Sequence, residues 1–538
     1  MRRAFPFFLT AFLVFGLAFS FKVATKSAKR KLAKHSNYRP IDTKEVKEDK
    51  RFLIIIPSYN NEAFVERNLD SVFKQDYQNY RVIYIDDASS DNTYEKTYEA
   101  IKKHQAEDRV TLIRNPQNHK ALYNIYYAVH SASNEEIVVL LDGDDWFSHT
   151  KVLSLLNQYY NDPAVWLTYG QYMTYPSYSK GLCRRPFFKS LARGKVRAKE
   201  PFSKEGDWIY SHLRTFYAGL FKRIPLKDQL YQGNFYSSAW DLAIMMPMLE
   251  MAREHAVFIP DVLYIYNRET PLNDDKLRLE EQMRLNRHIR NLPTYAQLFE
   301  DPRAPVRYDQ GVELLVSSKN RPLQLYAFLE SCAKHARHID QITVSYEAET
   351  QAFQEGYATV ATAFPKVHFQ NKKISSSKMP YVILAEDTLV LKEELDVIEA
   401  VQLLEKTGAL GFYFQMGLNI ERFPSDILPI GDEAFVWSFN GEGPWKNPSA
   451  KQMVLYRRKD LDKPQASLQG IGAFYKNSKA VEIPLHVTRY EEEKEVILYS
   501  EEELNSQFQN GYKMDLSAFE DLQNRTPSME FYPRFIER

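Results

Sequence analysis

Three carboxylates fall within Asp142-Gly143-Asp144-Asp145, directly after the apolar run Ile137-Val-Val-Leu-Leu141. Like charges this close repel one another unless something positive sits among them. A hard divalent cation meets that need. Mg²⁺ takes oxygen ligands and is held by one or two carboxylates together with substrate phosphates. The stretch therefore implies a Mg²⁺- or Mn²⁺-dependent site for a nucleotide-diphosphate donor. An acidic surface turn after a strand is the plain alternative, and Asp-x-Asp alone does not separate the two.

The elements that must carry these groups alternate in type. Phe52-Leu-Ile-Ile-Ile56 is an apolar run ending at Pro57, as expected of a buried parallel strand. Residues 61–75 follow with Val65, Leu69, Val72 and Phe73 at helical spacing. Arg81–Ile85 is the next strand and ends at Asp86-Asp87. A helix with Tyr94, Tyr98 and Ile101 on one face leads to a third strand at 109–113. Leu122, Ile125, Tyr126 and Val129 mark another helix, and the fourth strand is Ile137–Leu141. A helix at 151–160 and a strand at 164–169 follow. Strands alternating with helices at this spacing imply βαβ units and a doubly wound parallel sheet. Ligands of such sheets bind outside the carboxyl ends of the strands. Three strand ends here carry polar groups: Ser58-Tyr59-Asn60-Asn61-Glu62, Asp86-Asp87 and the acidic turn.

Pro57-Ser58-Tyr59-Asn60, Ile85-Asp86-Asp87-Ala88-Ser89-Ser90-Asp91 and Leu141-Asp142-Gly143-Asp144-Asp145, in that order and spacing, resemble glycosyltransferase family 2. The resemblance covers residues 50–275. It implies a GT-A fold and inverting transfer of a sugar from a nucleotide-diphosphate donor, with UDP-sugars the default. By the same resemblance Pro57, Tyr59 and Asn61 line the nucleotide, with Tyr59 stacking on the base. Asp87, with Asp86 beside it, bonds the base or ribose. Asp142 contacts the ribose and Asp144 holds the metal. Asp145 orients a loop or an acceptor. Ser211-His212-Leu213-Arg214-Thr215-Phe216 resembles an acceptor-side segment, which makes Arg214 an acceptor candidate. In Ser238-Ala239-Trp240-Asp241, Asp241 is the implied general base and Trp240 a platform for a sugar face. A helix cap beside a buried tryptophan is the plain reading of the same stretch. Three departures stand out: residues 118–124, with His119, Lys120 and Tyr123, lack the family's usual glycine and arginine. Trp240-Asp241 replaces an acidic pair, and Tyr266-Asn267-Arg268 stands where a histidine is common.

The 538 residues suffice for two or more domains, and 70 basic side chains balance 70 acidic ones. Zero net charge argues against a dedicated nucleic-acid binder. Cys183 and Cys332 are too few and too far apart for a disulfide framework or a zinc site. Residues 4–21 are uncharged and, as a helix, about 27 Å long, close to a bilayer core. Arg2-Arg3 precede this run and several lysines follow it. It reads as a single-pass membrane anchor with the catalytic part cytoplasmic, or as a cleaved signal segment or Golgi-type anchor. The expected layout is 1–35 anchor with its basic flank, 36–50 linker, 51–275 GT-A domain, 276–310 helical connector and 311–538 a second domain.

In that second domain strand-like and helical segments alternate again, and Ser317–Arg321 and Ala385-Glu386-Asp387 stand where the first and last motifs stood. No counterpart of Asp86-Asp87 is present. The expectation is a second, degenerate GT-A-like copy that positions the acceptor, with an active second transferase as the alternative. Trp437, Trp445 and the Gly441-Glu442-Gly443 turn read as a sugar platform or simply as a packed loop. Residues 169–234, with Arg184, Arg185, Lys189, Arg193, Lys195, Arg197 and Lys199, read as an irregular basic loop: a solvated surface, a lid, or a patch for an acidic acceptor or anionic lipid. The expected partners are thus a nucleotide sugar, a carbohydrate or lipid-linked acceptor and a membrane, but no nucleic acid. A noncatalytic nucleotide- or glycan-binding protein of the same fold is the competing function.

Overall fold

The computed structural model describes residues 48–538 except 187–190, 192–193, 198–207, 271–276, 307–310, 372–376, 423, 425, 440–441, 462–470, 484–487, 492–493, 498, 521 and 530–533. The anchor segment, most of the linker, Lys189, Arg193 and Lys199 lie outside the described residues. Among the described residues no helix is long and apolar enough to cross a membrane. The chain divides into two compact units. The first ends at Phe221 and resumes over Ser238–Ala304; the second comprises Lys222–Ser237 and Pro305–Arg538.

In the first unit the apolar runs become strands and the helical stripes become helices. β1 (Phe52–Ser58) is buried along its whole length. Each of its large aliphatic side chains contributes about 1.5–3 kcal/mol by leaving water. α1 (Val65–Phe73) turns Val65, Asn68, Leu69 and Val72 inward. β2 (Tyr80–Asp86), α2 (Thr93–Lys103), β3 (Val110–Arg114), α3 (Lys120–His130) and β4 (Ile137–Leu140) complete the alternation. β1 pairs in parallel with both β2 and β4, and β2 with β3. The remaining elements are β5 (Trp146–Phe147), α4 (Val152–Tyr160), β6 (Leu167–Tyr175), β7 (Arg214–Tyr217), α5 (Trp240–Ala252), β8 (Ala256–Asn267) and α6 (Leu279–Asn291). The sheet order is β3-β2-β1-β4-β7-β6-β8-β5.

β7 corrects the reading of residues 169–234 as an irregular stretch. It inserts between β4 and β6, antiparallel to both. All four of its residues are buried, so no polar-apolar alternation betrays it. Arg197 corrects the solvated-patch reading in the same way. It is buried, and its guanidinium grips Glu250 of α5 through two bonds of 2.7 and 3.0 Å. A third bond reaches the Ile289 carbonyl of α6 at 2.5 Å. The positive charge serves the core, because α5 is buried on almost every face and Glu250 needs a partner there.

The second unit contains β9 (Val312–Lys319), α7 (Pro322–His335), β10 (Gln341–Glu347), α8 (Gln351–Ala363), β11 (His368–Asn371), β12 (Tyr381–Glu386) and α9 (Val397–Thr407). β13 (Phe412–Tyr413), β14 (Leu428–Ile430), β15 (Ala434–Ser438), β16 (Val454–Arg457), β17 (Ile471–Tyr475) and α10 (Glu501–Gln509) follow. The order β11-β10-β9-β12-β16-β13-β17-β15-β14 reproduces the chain order of the first sheet over seven strands. The directions match too: three parallel pairs, two antiparallel, then one parallel. Trp437 and Trp445 are 0% exposed and pack with Tyr413, Phe439 and Phe474 in this unit's core. That corrects their reading as a sugar platform, since no ring face reaches solvent.

Candidate donor and base site

The three polar strand ends meet because the register brings them together. Ser58 lies opposite Asp86 across the β1–β2 pair, and Ile55 opposite Leu140 across β1–β4. Backbone bonds continue past the strands: Asp87 N–H to the Ser58 carbonyl at 2.8 Å, and Gly143 N–H to the Pro57 carbonyl at 3.1 Å. The loops after β1 and β2 are clasped further. Asn60 N–H donates to Ser89 Oγ, Ser90 N–H to Asn60 Oδ1, and Asn61 N–H to Thr93 Oγ1. Asn61 is buried and donates to Ser58 Oγ at 3.1 Å. It acts on the loop after β1 from inside, by fixing its shape. Tyr59, by contrast, is 40% exposed, with the Lys120 ammonium over its ring at 5.9 Å from the centroid.

Gly143 is the closest point of this junction. A Cβ there would sit 2.4 Å from Ser58 Oγ and 2.9 Å from Asn61 Nδ2. Gly143→Ala must therefore push the β1 and β4 loops apart. We expect a loss of about 1–3 kcal/mol from overpacking, read by urea unfolding, together with weakened nucleotide binding. An unchanged midpoint would show that the junction yields freely.

The acidic pair after β2 divides its work. Asp86 is 0% exposed, and both carboxylate oxygens are buried without a hydrogen bond of good geometry. Burial raises its pKa, while Ser89 and Arg114, the latter at 3.5 Å, act against that rise. A buried acceptor of this kind suits an imino or hydroxyl proton. Asp87 is already engaged. It accepts from Asn115 Nδ2 at 2.7 Å, from His119 N–H at 3.0 and 3.1 Å, and from Lys120 N–H at 2.8 Å. Its negative charge thus caps the amino end of α3. The stretch that departs from the family pattern is the one wrapped around Asp87.

The acidic turn is the most strained electrostatically. Burial and the neighbouring Asp142 push Asp144 up to about 7. Asp145 is raised well above the carboxylate range by burial, Asp144 and Asp142. Asp145 is fully buried; it accepts from Tyr264 Oη at 2.5 Å and from the Asn267 N–H at 2.6 Å. That corrects its candidacy as an acceptor contact: both oxygens face β8, and the residue locks the turn to that strand. Asn68 of α1 adds two bonds, to the Asp142 and Asp145 carbonyls at 3.0 and 2.7 Å. Asn68 and Tyr264 are the functional residues that sequence reasoning missed. The available signal was a polar residue inside the apolar stripe of α1.

Asp142 and Asp144 remain as the pair a cation would join. Among the described residues no group of three His, Cys, Asp or Glu side chains is arranged to hold a metal. Two crowded, partly buried carboxylates fit a cation that takes its other ligands from water and substrate phosphates.

On the other side of β4 lies the base candidate. Register places Arg214 of β7 opposite Leu140, two residues before Asp142. The Arg214 guanidinium donates to Asp241 Oδ2 at 3.1 Å and lies 5.3 Å from the Trp240 ring centroid. Arg214, Trp240 and Asp241 are therefore one cluster at the start of α5, where Ala239 turns the chain through a left-handed φ of 53°.

Residues 53–207 match glycosyl transferase family 2. The chain carries a glycosyltransferase domain of this family. It is 22% identical over 220 residues to glycosyltransferase GlyG of Streptococcus pneumoniae, covering 40% of this chain and 70% of that one. It is 31% identical over 119 residues to the UDP-Glc:alpha-D-GlcNAc-diphosphoundecaprenol beta-1,3-glucosyltransferase WfgD of Escherichia coli, 22% of this chain and under half (44%) of WfgD. Among solved structures, glucosyl-3-phosphoglycerate synthase of Mycobacterium tuberculosis with Mn²⁺, UDP and glucosyl-3-phosphoglycerate aligns at 14% identity and a TM-score of 0.32, covering 48% and 85%. The family 2 match lies in the first unit, whose α/β sheet is GT-A-like.

Proposed function

We propose that the first unit transfers a sugar, with inversion, from a nucleoside-diphosphate donor to a carbohydrate or lipid-linked acceptor. One observation carries the reading: the exposed Tyr59, the buried Asp86 acceptor and the Asp142–Asp144 pair share one sheet edge, and β7 sets the Arg214–Asp241 pair beside it. Tyr59 stacks on the base and Asp86 accepts a hydrogen bond from base or ribose. Asp142 and Asp144 would hold the divalent cation, which when bound supplies charge neutralisation for the leaving diphosphate. Asp241 takes the proton from the acceptor hydroxyl as its oxygen attacks. Arg214 holds one carboxylate oxygen of Asp241 and so aims the other. UDP is the donor base we favour, since the WfgD enzyme takes UDP-Glc by its name.

A panel of nucleotide sugars with and without Mn²⁺, read by thermal shift, tests this. A ligand at a hundred times its dissociation constant stabilises by ~2.7 kcal/mol. No shift with any nucleotide sugar would favour a glycan-binding protein of the same fold.

The second unit is proposed to be a degenerate, noncatalytic copy. Asn320 follows β9 with a φ of 55°, as Asn60 follows β1 with 52°. Asp387 N–H bonds the Ser317 carbonyl as Gly143 bonds Pro57. Here, however, the chain supplies its own cation. Arg321 reaches the buried Asp387 at 3.3 Å and Glu501 at the same distance. Burial raises Asp387 to about 6 in spite of Arg321. A carboxyl raised in the folded state favours folding at low pH, and that contribution is lost as pH rises from about 4 through 6. Asp387→Asn should therefore flatten the fall in stability across that window, an effect on the order of 2–3 kcal/mol, measured by urea unfolding at pH 4.5 and 7.5. Parallel pH profiles in variant and wild type would remove Asp387 from the account.

A further inference from the structure

Between the acidic turn and the base runs an unbroken line of contacts that the transfer chemistry does not by itself require. Tyr264 Oη donates to Asp145 at 2.5 Å and lies 3.3 Å from Asp142 Oδ2. The Tyr264 ring is stacked on His212, centroids 4.3 Å apart and 15° from coplanar. His212 Nε2 lies 3.5 Å from the Arg214 guanidinium, whose same nitrogen is 3.1 Å from Asp241 Oδ2. His212 is buried, and Tyr266 and the edge of Tyr172 close its other sides at 5.4 and 5.6 Å. Burial and Arg214 lower its pKa well below the usual value, so a neutral ring faces the guanidinium. Its Nδ1 is buried without a hydrogen bond. The imidazole thus meets Tyr264 through its face and Arg214 through Nε2 at its edge. His212 stands two residues ahead of Arg214, the first residue of β7.

We propose that His212 is a positioning residue that couples occupancy of the acidic turn to the orientation of the Arg214–Asp241 pair. The inference rests on reading the first unit as a donor-binding transferase. When a cation and diphosphate draw Asp142 and Asp144 toward them, Tyr264 shifts with the turn. His212 passes that displacement to Arg214, and Asp241 is aimed only once donor is bound.

The Trp240 ring reports on this pair, because Arg214 lies over it. The probe is UDP with Mn²⁺, and GDP if UDP does not bind, added to the full chain. The Trp240 contribution to fluorescence is isolated by subtracting the same titration of Trp240→Phe. Nucleotide binding should change that contribution in the wild type. The change should be lost in His212→Ala and in Tyr264→Phe, each titrated to nucleotide concentrations that saturate the variant. Tyr264→Phe keeps the ring and removes only the hydroxyl, so it decides the matter if His212→Ala does not fold. A Trp240 response equal to wild type in Tyr264→Phe, or bound nucleotide with no Trp240 response in the wild type, overturns the coupling alone. Failure of every nucleotide to bind the wild type removes the donor reading and the coupling with it.

Discussion

Asp241→Asn should slow transfer by ~10²–10⁴, the usual cost of losing a general base, while leaving nucleotide-sugar binding unchanged. The substitution keeps the shape of the side chain and its bond to Arg214, which approaches Oδ2 at 3.1 Å. It removes only the capacity to accept the acceptor's proton. The measurement is UDP release in the presence of acceptor glycans, paired with thermal shift by the donor. A rate within a few fold of wild type would place the base elsewhere. A fall in donor affinity as large as the fall in rate would instead make Asp241 a structural member of the donor site.

Asp144→Asn acts on the other half of the reaction. It removes one of two crowded carboxylates, so the ligand-free protein should unfold no earlier than wild type. Burial, and after it the repulsion by Asp142, raise Asp144 to about 7, and a neutral amide escapes both. The cost appears only with ligand. A hundredfold loss of affinity reduces the stabilisation by Mn²⁺ and nucleotide sugar from ~2.7 to about 0.4 kcal/mol at the same ligand concentration. A full metal-dependent shift in this variant would move the cation away from the acidic turn. It would equally indict the second unit, whose Asp387 is paired with Arg321.

The two variants separate binding from chemistry because their residues sit on opposite flanks of one strand. β4 leads into the acidic turn, and its antiparallel neighbour β7 carries Arg214 to the base. Both assignments predict a stable, folded variant.

The sequence by itself determined the alternating layout of the first unit and the three strand ends that converge. Phe52–Ile56, Arg81–Ile85 and Ile137–Leu141 are apolar runs that end at polar groups, and that pattern is local. Periodicity and strand length are properties of five to fifteen consecutive residues, so they survive in a linear reading. Tertiary structure alone decided which carboxylates the fold itself holds most closely. Asp87 is engaged by Asn115, His119 and Lys120, and Asp145 by Tyr264 and Asn267. Those donors lie roughly 30 and 120 residues away along the chain, and nothing in the acidic motifs announces them. β7 escaped because a strand buried on both faces has no alternation to read. Trp437 and Trp445 look alike as platform or core until their neighbours are known. The repeat of strand order in the second unit is likewise a property of pairing. It persists where the motifs do not, because a sheet needs only apolar strands in the right order, whereas a site needs particular side chains at their ends.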